Sequence, residues 1–303
     1  MSEPPAIARH IERVKAVLGS WGRGTPIEQM RRDWDELYTA APGTASPAKE
    51  EAFAIDGVPA TWITAPGARA ERVLLYLHGG GFSLGSVRSH RELLVRLSQA
   101  ARCRVLALEY RRVPEHRYPA ALEDSVRAYD WLLVNGVRHE QCSLAGDSAG
   151  GGLVLSTMLT ARDRGRPLPA SAVLLSAFTD LTTSRESYST RAAVDPWHEK
   201  LNLEIVARAY LRGANARDPQ ASPLFADLRG LPPLLVQVGD HEVVLDDSRD
   251  LATAARAAGV EVTLEVYERM IHVFQQFAAD VPEAEKAVAT IGTFLDRHWN
   301  QAR

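Results

Sequence analysis

The chain has 303 residues, 46% of them apolar and 24% charged, which excludes global disorder and gives room for a large core in one α/β domain with insertions. Lys and Arg total 35 against 38 Asp and Glu, a net charge of −3. That balance carries no basic footprint for nucleic acid.

Two amphipathic helices open the chain. Ile7, Ile11, Val14 and Leu18 recur at helical spacing, and Ile27, Met30, Trp34 and Leu37 form a second stripe behind Pro26. A loop rich in Ala, Pro and Gly runs from Ala40 to Pro47. Extended stretches follow at Ala52–Asp56 and Pro59–Thr64, with Gly57 bending them into a hairpin. From there strands and helices alternate: strands at Val73–Leu77, Arg104–Leu108, Cys142–Ala145, Ala172–Leu175, Leu234–Val238 and Val262–Val266, and helices at Ser89–Ala101, Ala120–Val134, Gly150–Ala161, Ser248–Ala258 and Glu283–His298. This order predicts a mostly parallel sheet with helices on both faces. One stretch, residues 176–233, is too long for a simple crossover. It holds Asp195, Pro196, Trp197 and a helical run from Leu201 to Leu211, and it reads as an insertion over the C-terminal edge of the sheet, where open α/β sheets bind ligands.

Cys103 and Cys142 lack the spacing of a zinc or redox pair and read as buried free thiols. Met1–Arg13 carries prolines and charges in place of an apolar leader, and no apolar run reaches the ~20 residues of a membrane span. The expected compartment is the cytoplasm.

Gly146-Asp147-Ser148-Ala149-Gly150 fits Gly-x-Ser-x-Gly between a predicted strand and a predicted helix. A serine on so tight a turn needs neighbours without bulk, and the helix start aims N–H groups and partial positive charge at the same spot. His78-Gly79-Gly80-Gly81-Phe82 follows the first core strand. Its glycines leave backbone N–H groups uncovered for an oxyanion. No Lys-Ser or Lys-Thr follows, which removes the P-loop reading, and neither cluster spells a dinucleotide fingerprint.

Such a serine needs a base, and the base an orienting carboxylate. Of nine histidines, His272 lies between the last predicted strand and the final helix, the base's place in the order nucleophile, acid, base. His78 reads as a brace for the glycine loop. His10, His90, His116, His139, His198 and His298 have no partner in sequence, and His241 lies too near the acid's own loop. The acid belongs just past Leu234–Val238. Asp246 and Asp247 read as caps of the following helix, leaving Asp240 and Glu242.

These motifs, with Pro114-Glu115-His116, Ser222-Pro223-Leu224, Leu231-Pro232-Pro233 and Met270-Ile271-His272-Val273-Phe274 in the same order, make the chain resemble the bacterial hormone-sensitive-lipase-like carboxylesterases, a branch of the α/β-hydrolase fold. The resemblance implies cofactor-free and metal-free hydrolysis of short- to medium-chain esters. It implies an α/β-hydrolase domain at 46–303, capped by residues 1–45 and a second segment at 180–215. It assigns Ser148 as nucleophile, His272 as base, and Gly80, Gly81 and Ala149 as oxyanion donors. Phe82 and Trp197 are candidates for lining the pocket. The family writes its acid as Asp-Pro-Leu-x-Asp; here the stretch reads Glu242-Val243-Val244-Leu245-Asp246. Glu242 is the expected acid, because its spacing to Asp246 copies the family's interval and Asp240, beside Gly239, suits a turn-closing role. The last strand is expected to be an edge that pairs with its twin in a homodimer. The partner otherwise expected is a small ester, with no nucleic acid and no membrane. A catalytically inactive ligand-binding scaffold, or amidase or lactonase chemistry on the same residues, is the alternative, since fold alone does not fix function.

Overall fold

The computed structural model describes residues 5–39 and 47–301. The expected loop at 40–47, but for Pro47, and the expected boundary between residues 45 and 46 lie outside them.

Helices α1 (Pro5–Gly19) and α2 (Ile27–Thr39) come first, then β1 (Lys49–Ile55), β2 (Val58–Thr64), β3 (Arg69–Leu77), α3 (Val87–Ala101), β4 (Cys103–Leu108), α4 (Ala120–Val134), β5 (Cys142–Asp147), α5 (Ala149–Asp163) and β6 (Ser171–Leu175). The insertion holds α6 (Ser187–Thr190) and α7 (Lys200–Leu211), and β7 (Leu234–Gly239), α8 (Leu245–Ala257), β8 (Val262–Tyr267) and α9 (Pro282–Gln301) complete the chain. The predicted elements match in type and order, differing by a few residues at their ends. The short α6 was not predicted; a single helical turn carries no periodicity to read.

Among the described residues, eight strands form one sheet in the order β1-β2-β4-β3-β5-β6-β7-β8. The β1–β2 and β2–β4 pairs are antiparallel and the others parallel. Burial explains the composition of the centre: β5, β6 and β7 are buried along their whole length, as parallel strands covered on both faces must be. Alternation survives within that burial. Val73, Leu75 and Leu77 face one core, shared with α4, α5 and α8, while Leu74 and Tyr76 face the other, shared with α3 and α9. The two cores sandwich the sheet.

The chain runs from β3 to β4 on one side and returns to β5 on the other, so strand order reverses between β3 and β5. Loops leaving these two strands part there and open a crevice at the C-terminal edge. The insertion and the N-terminal helices lie over it. Helix α1 is pinned by His10, whose ring bonds Asp280 at 2.8 Å and stacks on Phe277 at 4.2 Å. Helix α2 is pinned by Arg31, which donates to the Ser83 carbonyl at 2.9 Å and to Glu115 at 2.8 Å. Trp34 of α2 meets Trp197 of the insertion, ring centres 5.2 Å apart. Among the described residues no helix is long and apolar enough to cross a membrane.

Candidate active site

Ser148 joins β5 to α5 with φ 51° and ψ −121°, a conformation that costs a non-glycine residue about 1–3 kcal/mol and persists only where its surroundings enforce it. They do. The Ser148 N–H donates to the Leu175 carbonyl at 2.8 Å, and its own carbonyl accepts from the N–H groups of Gly152 and Phe178 at 3.2 and 2.9 Å. A side chain at Gly146 would sit 2.6 Å from the Gly150 backbone and 2.7 Å from the Leu77 carbonyl, and one at Gly150 would run into that carbonyl too. The flanking glycines are therefore required by close packing of β3, β5 and α5.

Beside the serine, Gly80 and Gly81 take φ values of 111° and 59°, and the Gly80 carbonyl accepts from Ser83 and Leu84 N–H groups at 3.1 and 2.8 Å. The loop is braced from below by Asp147, the residue before Ser148, which composition of the motif gave no reason to single out. Its buried carboxylate accepts from Gly79 N–H at 2.9 Å and from the Tyr76 hydroxyl at 2.8 Å, and it pairs with His90 at 3.2 Å. Burial works against the Asp147 charge, but His90 and Tyr76 outweigh it and hold the carboxyl below its ordinary range. Burial likewise opposes a charged His90, and Asp147 outweighs it, so this imidazole is more basic than usual. His90, without a partner in the local sequence, has one across 57 residues. His78 braces the same loop: it stacks on Tyr110 at 4.3 Å, Tyr110 donates to the His78 carbonyl at 2.7 Å, and burial pushes the imidazole down to about 3, so it stays neutral. Ala149 is fully buried at the start of α5, where helical N–H groups lack intrahelical partners.

The loops after β7 and β8 bring Glu242 and His272 together. His272 Nδ1 donates to Glu242 Oε2 at 2.8 Å. Glu242 is wholly buried, and its other oxygen accepts from the Ser176 hydroxyl at 2.8 Å and from Gly239 N–H at 2.5 Å. The Ser176 oxygen in turn accepts from Val273 N–H at 3.0 Å, so one hydroxyl holds the acid and the histidine loop in register. Burial disfavours a charged His272, yet the hydrogen bond and charge of Glu242, aided by Asp195 and Asp147, raise its basicity above that of an ordinary imidazole. Its Nε2 is buried and makes no hydrogen bond. The His198 ring meets it edge to face at 4.6 Å; burial, then the neighbouring His272, keep His198 neutral.

Asp240 does not reach His272. It accepts from Arg269 N–H at 2.5 Å, while its own N–H donates to the Tyr267 carbonyl at 3.0 Å, a turn-closing role. The capping role expected for Asp246 and Asp247 is corrected by the structure: α8 begins earlier, at Leu245, and both carboxylates reach sideways to the insertion. Asp246 accepts from Ser187 N–H at 2.9 Å. Asp247 accepts from Thr179 and Asp180 N–H groups at 2.8 and 2.9 Å and from the Tyr188 hydroxyl at 3.0 Å.

Ser148, His272, Gly80 and Gly81 line one cavity of about 370 Å³, whose walls include Leu18, Met30, Trp34, Trp197, Leu203 and Val206. Side chains of α1, α2 and α7 thus enclose groups presented by the sheet edge. Trp197 is in this wall. Phe82 is not: it is buried and stacks on Tyr210 of α7, ring centres 3.7 Å apart. Its expected place in the pocket is corrected to that of an anchor beneath α7. The loop turns Phe82 inward at φ 58°, a reversal no residue pattern announces. Ser176, Asp195 and His198 were also not singled out for the site; only the Asp195-Pro196-Trp197 run stood out in the sequence.

A family profile described as the alpha/beta hydrolase fold matches residues 74–276. An acetyl-hydrolase of Streptomyces hygroscopicus is 45% identical over 81% of this chain and 86% of its own. An esterase of Acinetobacter venetianus is 37% identical over 75% of each. Among solved structures, an esterase from the bacterial hormone-sensitive lipase family superposes with a TM-score of 0.95 at 45% identity, covering 99% of this chain and all of that one. The chain belongs to the bacterial hormone-sensitive-lipase-like family of α/β-hydrolases. It is a carboxylic ester hydrolase.

Proposed function

We propose that this hydrolase is a serine carboxylesterase, acting on short- to medium-chain esters through an acyl-enzyme intermediate. One observation carries the reading: a histidine held by a buried carboxylate at Nδ1, with Nε2 unpaired, lines the same cavity as a serine on a strained strand-to-helix turn. In the first half-reaction Ser148 Oγ attacks the ester carbonyl while His272 Nε2 takes its proton. The carbonyl oxygen becomes an oxyanion, held by the N–H groups of Gly80, Gly81 and Ala149; one such donor is worth about 3 kcal/mol. The C–O bond to the alcohol breaks, and His272 returns the proton to the alcohol. In the second half, water replaces the alcohol, His272 takes its proton, and the acid leaves as Ser148 is restored. Glu242 fixes the imidazole tautomer and steadies the imidazolium. No cofactor or metal enters these steps. A cavity of about 370 Å³ is at the small end for ligand pockets, in keeping with a short acyl chain. The acetyl-hydrolase name of the Streptomyces relative points the same way. The proposed compartment is the cytoplasm, where the buried free thiols Cys103 and Cys142 stay reduced.

The test is Ser148→Ala with p-nitrophenyl butyrate. The folded variant loses several orders of magnitude in turnover and the wild type shows a burst of p-nitrophenol. Retention of more than about a tenth of the rate, a loss under ~1.4 kcal/mol, removes Ser148 as nucleophile. A wild type inert toward p-nitrophenyl esters of every short and medium acyl length overturns the proposed substrate range.

A further inference from the structure

Asp195 lies in the insertion, two residues before Trp197 and three before His198, both in the cavity wall. Its Oδ1 accepts hydrogen bonds from the N–H groups of those residues, at 2.8 and 3.0 Å. Its Oδ2 accepts from Val243 N–H at 2.8 Å, and Val243 directly follows Glu242. One carboxylate therefore ties the pocket wall to the loop that carries the acid. An uncharged tie runs beside it: the Ser187 hydroxyl donates to the Val243 carbonyl at 2.6 Å and accepts from Asp246 N–H at 3.1 Å.

We infer that Asp195 is a positioning residue for ester hydrolysis, registering the insertion on the Glu242–His272 pair and adding a second negative charge that steadies the imidazolium. The inference rests on His272 acting as the base. Three observations support it. The three backbone donors come from two segments about fifty residues apart in sequence, so the carboxylate has a joining role that no local turn explains. A neutral isostere could not serve all three, because an amide group would turn N–H toward one of the donors. And the charge sits beside the pair: Oδ2 is hydrogen-bonded to the residue that follows Glu242, and the same stretch sets the His198 ring against His272 at 4.6 Å; Glu242, Asp195 and Asp147 favour the charged imidazole, and His198, held neutral, adds no positive charge beside it. Burial pushes Asp195 up to about 6, with His272 opposing the shift and Glu242 adding to it, so the group is ionised above that pH.

The sign follows. Without the Asp195 charge the imidazolium is less stable, His272 loses its proton at lower pH, and the acidic limb of the kcat/KM profile moves down. A merely structural tie lowers kcat or stability and leaves the limb in place. In Asp195→Asn the remaining oxygen can still accept from Trp197 and His198, while the amide N–H opposes Val243 N–H. With p-nitrophenyl butyrate, the expected result is a fall in kcat of about tenfold, KM within about threefold, and a limb lower by about half a pH unit. Asp195→Glu keeps the charge but displaces the tie, so kcat falls and the limb stays. Ser187→Ala removes only the uncharged tie, and its limb also stays. A limb in Asp195→Asn that coincides with the wild type overturns the inference, as does a loss confined to KM. If the Asn variant does not fold, Asp195→Ser takes its place, removing the charge with a smaller side chain: a lowered limb supports the inference and an unmoved limb overturns it. Treating the wild type with diethyl p-nitrophenyl phosphate separates this from the parent reading. No covalent adduct on Ser148 sinks both; an adduct with an unmoved limb sinks only the role of Asp195.

Discussion

A carboxylate must meet His272 at Nδ1 in much the same place whichever acid supplies it, so a longer side chain demands a loop set further back. At the base of that loop the packing is close: a side chain at Gly239 would strike the Met270 carbonyl and approach Glu242 Oε1 at 3.0 Å, so the loops after β7 and β8 meet only over a glycine. Glu242→Gln should therefore cost turnover heavily with folding intact, because the amide cannot stabilise the imidazolium. Asp240→Asn, which loosens only the turn at Arg269, should cost about tenfold, ~1.4 kcal/mol. Steady-state kinetics on both folded variants checks the pair, and the opposite ranking would place the acid at Asp240. At this scale the sequence is readable where chemistry writes a local signature. Ser148 stands between glycines, and His272 stands in chain order after the last strand. Ser176, His90 and the bond of Asp195 to Val243 are unreadable for the same physical reason that Phe82 misleads: each is defined by a partner far along the chain, and nothing near it in sequence reports the distance.

Between β3 and α5 the site depends on a buried ionic brace. Asp147 and His90 are both buried, and breaking such a pair by removing one charge costs about 3 kcal/mol. Asp147→Asn keeps an oxygen for Gly79 N–H and the Tyr76 hydroxyl but turns an amide toward His90, so urea unfolding should show a loss of that order, with kcat reduced several-fold as the Gly80–Gly81 loop loosens. The loss has a pH window. The depressed Asp147 contributes stability that is present above its ordinary value of 3.8 and disappears as pH falls through its lower folded value. The elevated His90 contributes stability that is present below 6.5 and disappears as pH rises through its higher folded value. The difference between wild type and variant is thus largest between 3.8 and 6.5; a gap independent of pH would mean the pair carries no charge. The elements themselves were legible because the central strands are continuous apolar runs and the helices amphipathic. The start of α8 was not, since acidic residues before a helix look like caps until the insertion they bind is in view.

At the level of the molecule, β8 pairs with β7 alone among the described strands and exposes Thr263 and Val266. An uncovered edge invites a second copy, and a two-fold axis would let β8 pair antiparallel with its twin. We propose a homodimer through this strand. Light scattering at micromolar concentration should give twice the chain mass, and Val266→Lys, a charge on that edge, should shift it to one; a monomer in the wild type contradicts the proposal. A mostly parallel sheet was foreseeable from alternating strands and helices, but not its strand order, nor the place where α1, α2 and the insertion meet, because Trp34 on Trp197 is a contact between segments with no shared pattern.

That meeting place has a consequence for how the enzyme can diversify. The groups proposed to react ride on loops of β3, β5, β7 and β8, while much of the wall comes from α1, α2 and the insertion, which contribute no strand. Wall residues away from the reacting loops, such as Leu18 and Met30, should be exchangeable without disturbing the chemistry, whereas Val206 packs against the place a side chain on Gly81 would take. Near Asp195 that freedom ends, since a change of wall there is also a change of mechanism. Variation in substrate range should accumulate on α1, α2 and α7 and thin out toward residues 195–198.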